Sequence, residues 1–245
     1  MQTYGPLAPW YDGFTRDVPY PQFADFFEQA LHREGREHLT LLDLCCGTGT
    51  LTWLLAARGH ELIGVDCAPE MLSLAAEKAG ETDCPIPPLF LCQEAAELDL
   101  FGTVDGAYCS LDGMNYLPPE ELPELFHRLH LFIEPGGRFA FDFHAPEHLR
   151  ALDGGAFVDE TDDVLCLWRG EFDEEENALC YGMDIFRRQG KLWHREEEEH
   201  IEYAHDPADL KALLEEAGFT GVELIRDGPL HESGRLFLIA ENTEH

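Results

Sequence analysis

LTLLDLCCGTGTLTWLLAARGHELIGVD, Leu39 to Asp66, is the stretch whose reading decides the fold. It opens on a short apolar run broken by Asp43, a buried-strand pattern, and passes at once through Gly47-Thr48-Gly49 into the helical stretch LTWLLAARG. A second strand, ELIGVD, follows and ends on Asp66. A strand that empties through glycines into a helix is a cradle for a phosphate or a nucleoside. Glycine lets a ligand approach the backbone, and the helix N-terminus presents free N–H groups. Asp66 stands seventeen residues after Gly49, close to where an acid meets ribose hydroxyls in dinucleotide-binding folds. The pair places a nucleoside across the ends of the first two strands; the plainer alternative is a tight turn followed by a strand-end cap.

Working outward, Phe23, Phe26, Phe27, Ala30 and Leu31 mark one face of an amphipathic helix that ends near Gly35. Downstream, APEMLSLAAEKAG carries Pro69 where the first turn of a helix tolerates it. LFLC and VDGAYCS then read as strands, and PPEELPELFHRLHLFIEPGG reads as a helix stopped by Pro-Gly-Gly before the strand RFAFDFH. Alternating strands and helices of this kind predict a parallel sheet covered on both faces. From Ala151 to His205 the pattern changes to three strands separated by DEEEN and QGK turns, a small antiparallel meander. DPADLKALLEEAGF returns to helix behind the N-cap Asp206, and TGVELI and RLFLIAE follow as strands. The expected division is therefore 1–150 with 206–245 as the main unit, and 151–205 as an insertion packed over the carboxyl edge of its sheet.

The chain has 245 residues, about one and a half average domains, and 44% hydrophobic with 11% aromatic residues is an ordinary globular composition. Sixteen Lys and Arg against 49 Asp and Glu give a formal charge of -33. Such a field repels phosphate backbones and anionic lipid, so neither nucleic acid nor a membrane surface is an expected partner. No basic start precedes an apolar run, and no stretch reaches the length of a membrane span, so the expected location is cytoplasmic. The eight cysteines read as small buried thiols. With neither a CxxC pair nor a Cys/His cluster at ligand spacing, no metal site is expected. A monomer or weak dimer is the expected assembly.

Counted from Gly47, Thr52 falls where the pattern G-x-G-x-x-G/A needs its third small residue, which leaves a nicotinamide-dependent oxidoreductase as the alternative reading. Asp43 with Gly47-Thr48-Gly49 resembles motif I of the class I S-adenosylmethionine-dependent methyltransferases, with Cys45 where that string commonly has its first glycine. GVDCAPEML resembles the second motif, which implies Asp66 on the ribose and Met71 near the adenine. CQEAAELDL resembles the third, with Glu94 in the place of the acid that accepts from the adenine amino group and Ala95 offering a backbone N–H. SLDGMNYL, beginning at Ser110, is similar to the segment bordering the methionine moiety and the substrate cleft. YDGFTRDVPY, with Tyr11, resembles the N-terminal segment of a bacterial small-molecule subfamily whose insertion is a small antiparallel sheet; the meander departs from that pattern at Tyr203 and His205.

The resemblance implies an α/β fold, a Rossmann-like, mostly parallel seven-stranded sheet with helices on both faces and a small antiparallel β insertion. It implies S-adenosylmethionine as cofactor and a small-molecule methyl acceptor, with Asp43 orienting the glycine loop. A non-catalytic S-adenosylmethionine-binding protein is a further alternative. Methyl transfer is an in-line displacement at carbon, for which a protein supplies mainly alignment and water exclusion. An acceptor that is a hydroxyl or an ammonium must also lose a proton, and Asp112, Asp142 and His144 stand at the strand ends where open sheets place their ligand crevice. A histidine just past a strand is also read as a capped residue, and Asp142 equally as a structural acceptor. Tyr11, Tyr20 and Tyr116 either wall the cofactor or pin a lid helix. Arg187, Arg188, His194 and Arg195 are clustered cations that would suit an anionic acceptor. Glu196 to Glu199 read as a solvated strand edge.

Overall fold

The strand that opens the decisive stretch, β1 (Thr40–Leu44), is buried from Leu41 onward, as a central parallel strand covered on both faces must be. The computed structural model describes residues 4–80, 82–230 and 234–243, so 1–3, 81, 231–233 and 244–245 of the expected main unit lie outside the described residues. Before β1 come a short helix α1 (Tyr11–Phe14) and α2 (Tyr20–Ala30). After it come α3 (Thr50–Ala57), β2 (Glu61–Asp66), α4 (Pro69–Glu77), β3 (Leu89–Cys92) and β4 (Val104–Cys109). The next four elements are α5 (Leu122–Phe132), β5 (Ile133–His144), α6 (Pro146–Ala151) and β6 (Ala156–Glu160). The chain then runs through β7 (Val164–Asp173), β8 (Ala178–Gln189), β9 (Leu192–Tyr203), α7 (Pro207–Glu216), β10 (Phe219–Ile225) and β11 (Arg235–Asn242).

Seven strands form the main sheet in the order β10-β11-β5-β4-β1-β2-β3. All its pairings are parallel except those of β11, which runs antiparallel between β5 and β10. One face buries Leu122, Leu125, Phe126 and Leu129 of α5 with Leu210 and Leu214 of α7. The other buries Phe23 and Phe27 of α2 with Leu51 and Leu55 of α3. The strand order reverses between β1 and β4, which opens a crevice beyond their carboxyl ends, where open α/β sheets hold ligands.

Three details differ from the sequence reading. The segment Ile-Glu-Pro-Gly-Gly belongs to β5 and is not a helix stop: α5 ends at Phe132, and the β4–β5 register slips between Val104 and Gly106 so that the extra residues bulge. The inserted sheet has four strands, β6-β7-β8-β9, and not three. Its first strand, AFVDE, is exposed along its whole length and carries no alternation to announce it. Of the eight cysteines, none disulfide-bonded, only Cys109 and Cys166 are buried, and Cys67 and Cys92 are exposed.

Candidate active site

The turn between β1 and α3 is left-handed three times. Cys45, Gly47 and Gly49 have φ of 56°, 54° and 69°, a region that costs a residue with a Cβ about 1–2 kcal/mol. Cys45 therefore bears the strain at the position where the resemblance has glycine. At Gly49 a Cβ would also stand 3.0 Å from the Ala75 Cβ and 3.1 Å from the Phe90 ring, whereas at Gly47 it would meet nothing within 4 Å. Asp43 is buried beneath this turn and accepts from the Thr52 hydroxyl at 2.5 Å. Burial pushes its carboxyl up to about 7 against the pull of that hydrogen bond. Thr52, unsuited to a pyrophosphate pattern, is thus the partner of the buried acid.

Asp66 spans the same turn from β2. Its Oδ2 accepts from the Gly47 N–H at 2.8 Å and its Oδ1 from the Ala68 N–H at 2.9 Å. Burial raises its pKa, opposed by those two N–H groups. Each oxygen keeps a lone pair for a further donor. Asp12 of α1 locks the loop from outside: it accepts from Thr48 Oγ1 at 2.5 Å and pairs with Lys78 Nζ at 2.8 Å.

A cavity of about 440 Å³ opens over these groups, within the range of small-molecule sites. Of the cofactor residues expected from the sequence, Tyr11, Cys45, Gly47, Asp66, Met71, Glu94, Ala95 and Ser110 line it. Tyr20 and Tyr116 line it as well. Asp43 and Gly49 do not: Asp43 lies beneath the turn, and Gly49 closes it at the start of α3.

A second cavity of about 460 Å³ lies between the main sheet and the inserted one, and Tyr4, Tyr11, Leu111 and Tyr116 line both. Asp112 and His144 line the second cavity; Asp142 lines neither. Asp142 is fully buried, accepts from the Leu111 N–H at 2.8 Å and the Asp112 N–H at 3.3 Å, and pairs with Arg235. It holds Leu111 and Asp112 in the left-handed region, at φ 56° and 58°, so its place is that of a positioning residue.

Arg235 of β11 sits at the centre of this cluster, donating through Nη2 to Asp112 Oδ1 and to His144 Nε2, each at 2.9 Å. A guanidinium only donates, so Nε2 is the accepting nitrogen of neutral His144 and its proton is on Nδ1. That nitrogen faces Glu202 Oε2 of β9 across 3.5 Å, and both atoms are buried without a completed hydrogen bond. Burial would raise the Asp112 carboxyl, but Arg235 and His144 outweigh it and hold it below the usual range. Burial raises Glu202, partly offset by His144. Burial would lower His144, yet Asp112 and Glu202 raise it. The ligand atoms of Asp112, His144 and Glu202 all lie within 4.8 Å of one another, a metal-binding spacing that sequence spacing did not reveal. The cation these groups share is the Arg235 guanidinium.

Glu198 was hidden in the charge run Glu196 to Glu199, and Glu202 stands three residues beyond it. On β9, Glu198, His200 and Glu202 are buried while Glu197, Glu199 and Ile201 face out, the period-2 alternation of a strand with one covered face. The solvated-edge reading of Glu196 to Glu199 is thus corrected at Glu198, which accepts from the Tyr4 and Leu7 backbone N–H groups and bonds His200 Nε2 at 2.7 Å. His200 Nδ1 in turn meets the Tyr116 hydroxyl at 3.1 Å. Arg187, Arg188, His194 and Arg195 are exposed and line neither cavity; Arg195 is engaged by Asp184 and Glu197.

Residues 41–137 match the family model described as "Methyltransferase domain". The chain is 29% identical over 248 residues to the Bacillus subtilis protein named "Putative methyltransferase YqeM", covering 98% of each. It is 31% identical over 157 residues to the 2-phytyl-1,4-naphtoquinone methyltransferase of Nostoc punctiforme, covering 57% of this chain and 67% of that protein. The crystal structure of an S-adenosylmethionine-dependent methyltransferase from Clostridium acetobutylicum superposes with a TM-score of 0.82 at 27% identity, covering 98% of this chain and 99% of that one. The chain belongs to the class I S-adenosylmethionine-dependent methyltransferases. S-adenosylmethionine is the cofactor of this methyltransferase, and the first cavity fits it. The cavity joins a glycine turn open to a Cβ-sized group at Gly47, an acid with spare lone pairs at Asp66 and an acid beside a backbone donor at Glu94-Ala95. The nicotinamide and non-catalytic alternatives find no support in these matches. Among the described residues, no helix is long and apolar enough to cross a membrane.

Proposed function

We propose that this methyltransferase acts on a small-molecule acceptor that enters the second cavity, with 151–205 as the lid that closes it. The observation that carries the reading is the shared wall: four residues line both cavities, so a donor in one and an acceptor in the other are neighbours. Asp66 would hold the ribose hydroxyls, and Glu94 with the Ala95 N–H would meet the adenine edge. The Gly47 turn would take the carboxylate end, where backbone N–H groups suit an anion. When bound, S-adenosylmethionine supplies an electrophilic methyl group on a cationic sulfur.

The chain's own work is positioning, which alone contributes roughly 7–11 kcal/mol where two reactants are aligned, and disposal of a proton. Because Arg235 occupies His144 Nε2, the proton acceptor in reach of the second cavity is Glu202, which His144 Nδ1 faces across 3.5 Å without a completed hydrogen bond. Asp112 and Arg235 hold the imidazole in place. The test is to incubate the protein with S-adenosylmethionine tritiated at the methyl group and a metabolite extract, then separate products by size. Label in a new low-molecular-weight product is expected. Label bound without turnover, or carried by macromolecules, would contradict the reading.

A further inference from the structure

The walls of the second cavity say what kind of acceptor it takes. Among the described residues its acids are Asp112, Asp159 and Glu202, its imidazoles are His144 and His148, and its one Lys or Arg side chain is Arg235, which is 6% exposed and already engaged by Asp142 and Asp112. The exposed arginines of the inserted sheet, which suggested an anionic acceptor from sequence, are absent from the lining. An anion entering here meets the carboxylates of Asp159 and Glu202, with the Arg235 guanidinium already taken up by Asp142 and Asp112; a cation meets partners. Phe157, Trp168 and Tyr181 supply flat apolar surface and cation-attracting ring faces on the same walls.

A second observation is independent of the charge count. Glu202 is 4% exposed, lines the cavity, and its Oε2 has no completed hydrogen bond. A buried carboxylate oxygen left without a donor is costly, and a ligand N–H would complete it. We propose that the acceptor is an amine, carried on a small molecule without compensating negative charge, whose ammonium or amino group donates to Glu202 Oε2 with Asp112 beside it. This rests on the reading of the adjoining cavity as the cofactor site and adds the chemical class of what is methylated.

The test uses the full chain saturated with S-adenosylhomocysteine and three probes of one shape: benzylammonium chloride, benzyl alcohol and sodium benzoate. Their binding is read by ligand-observed NMR and by quenching of tryptophan fluorescence, since Trp168 lines the cavity. Benzylammonium is expected to bind at least about tenfold tighter than either analogue, and Glu202→Gln to remove that margin. Glu202→Asp, which keeps the charge, should restore part of it, and Arg187→Ala, outside both cavities, should change nothing. Benzoate or benzyl alcohol binding as well as the amine would overturn the proposal. So would an amine margin unaffected in Glu202→Gln while that variant still binds S-adenosylhomocysteine normally. Failure of the wild-type chain to bind S-adenosylhomocysteine would instead sink the underlying cofactor reading.

Discussion

Glu202 and His144 form a pair whose roles separate on substitution. Glu202→Gln keeps the shape of the side chain and removes its ability to take a proton, so kcat for methyl transfer should fall on the order of a hundredfold or more. His144→Gln should cost less and act through pH. His144 offsets the burial that raises Glu202, so without it Glu202 protonates at higher pH, and the acid limb of the kcat profile should move upward. A downward shift or an unmoved limb would contradict the positioning role. Asp43 gives a stability counterpart. Its carboxyl is raised from 3.8 to about 7 in the folded chain, so between those values the native state holds the proton more tightly than the unfolded one. Its contribution to stability is present below about pH 4 and is lost as pH rises toward 7, with a slope of at most about 1.4 kcal/mol per pH unit. Denaturant titrations of Asp43→Asn should lack that slope relative to the parent chain. Asp66 and Glu94 were legible in the sequence because each stands at a fixed offset from a strand end. Glu202 was not, because its place depends on β9 folding back onto residues 113–116 and the end of β5.

Among the elements, β9 links the inserted sheet to the N-terminal segment. Glu198 takes two backbone N–H groups, those of Tyr4 and Leu7, in a site where it is 2% exposed. Glu198→Ala leaves those donors and His200 without their acceptor, and the expected loss is about 2 kcal/mol or more. Hydrogen exchange should rise at residues 4–14 and stay unchanged in β1 and β4; protection retained at the segment would refute the link. The four-glutamate run hid this strand's inward face because composition suggests solvation, whereas the burial alternates residue by residue. Pro-Gly-Gly misled for a similar reason. The same residues that stop a helix also build a bulge, and only the β4 partner decides which. The glycine turn was legible because its demand is local: positive φ at alternate positions, Cys45, Gly47 and Gly49, admits few residue types.

At the scale of the whole molecule, a formal charge of -33 sets self-repulsion against folding. Raising salt from about 50 mM to 500 mM shortens the screening length several-fold, so the melting temperature should climb across that range; a fall would mean that the ion pairs of the fold outweigh its repulsion. The parallel character of the main sheet and its cover of helices on both faces followed from alternating strands and helices in the sequence; its strand order did not. The second cavity did not, since it exists only where two sheets distant in sequence face each other. Cofactor binding depends on the first cavity and its acid on β2. Calorimetric titration of S-adenosylhomocysteine into the parent chain and Asp66→Ala tests it directly. Saturable binding by the parent, weakened about a hundredfold by loss of the charged hydrogen bonds, is the predicted result. Equal affinity in the two proteins, or no heat of binding in the parent, would contradict it.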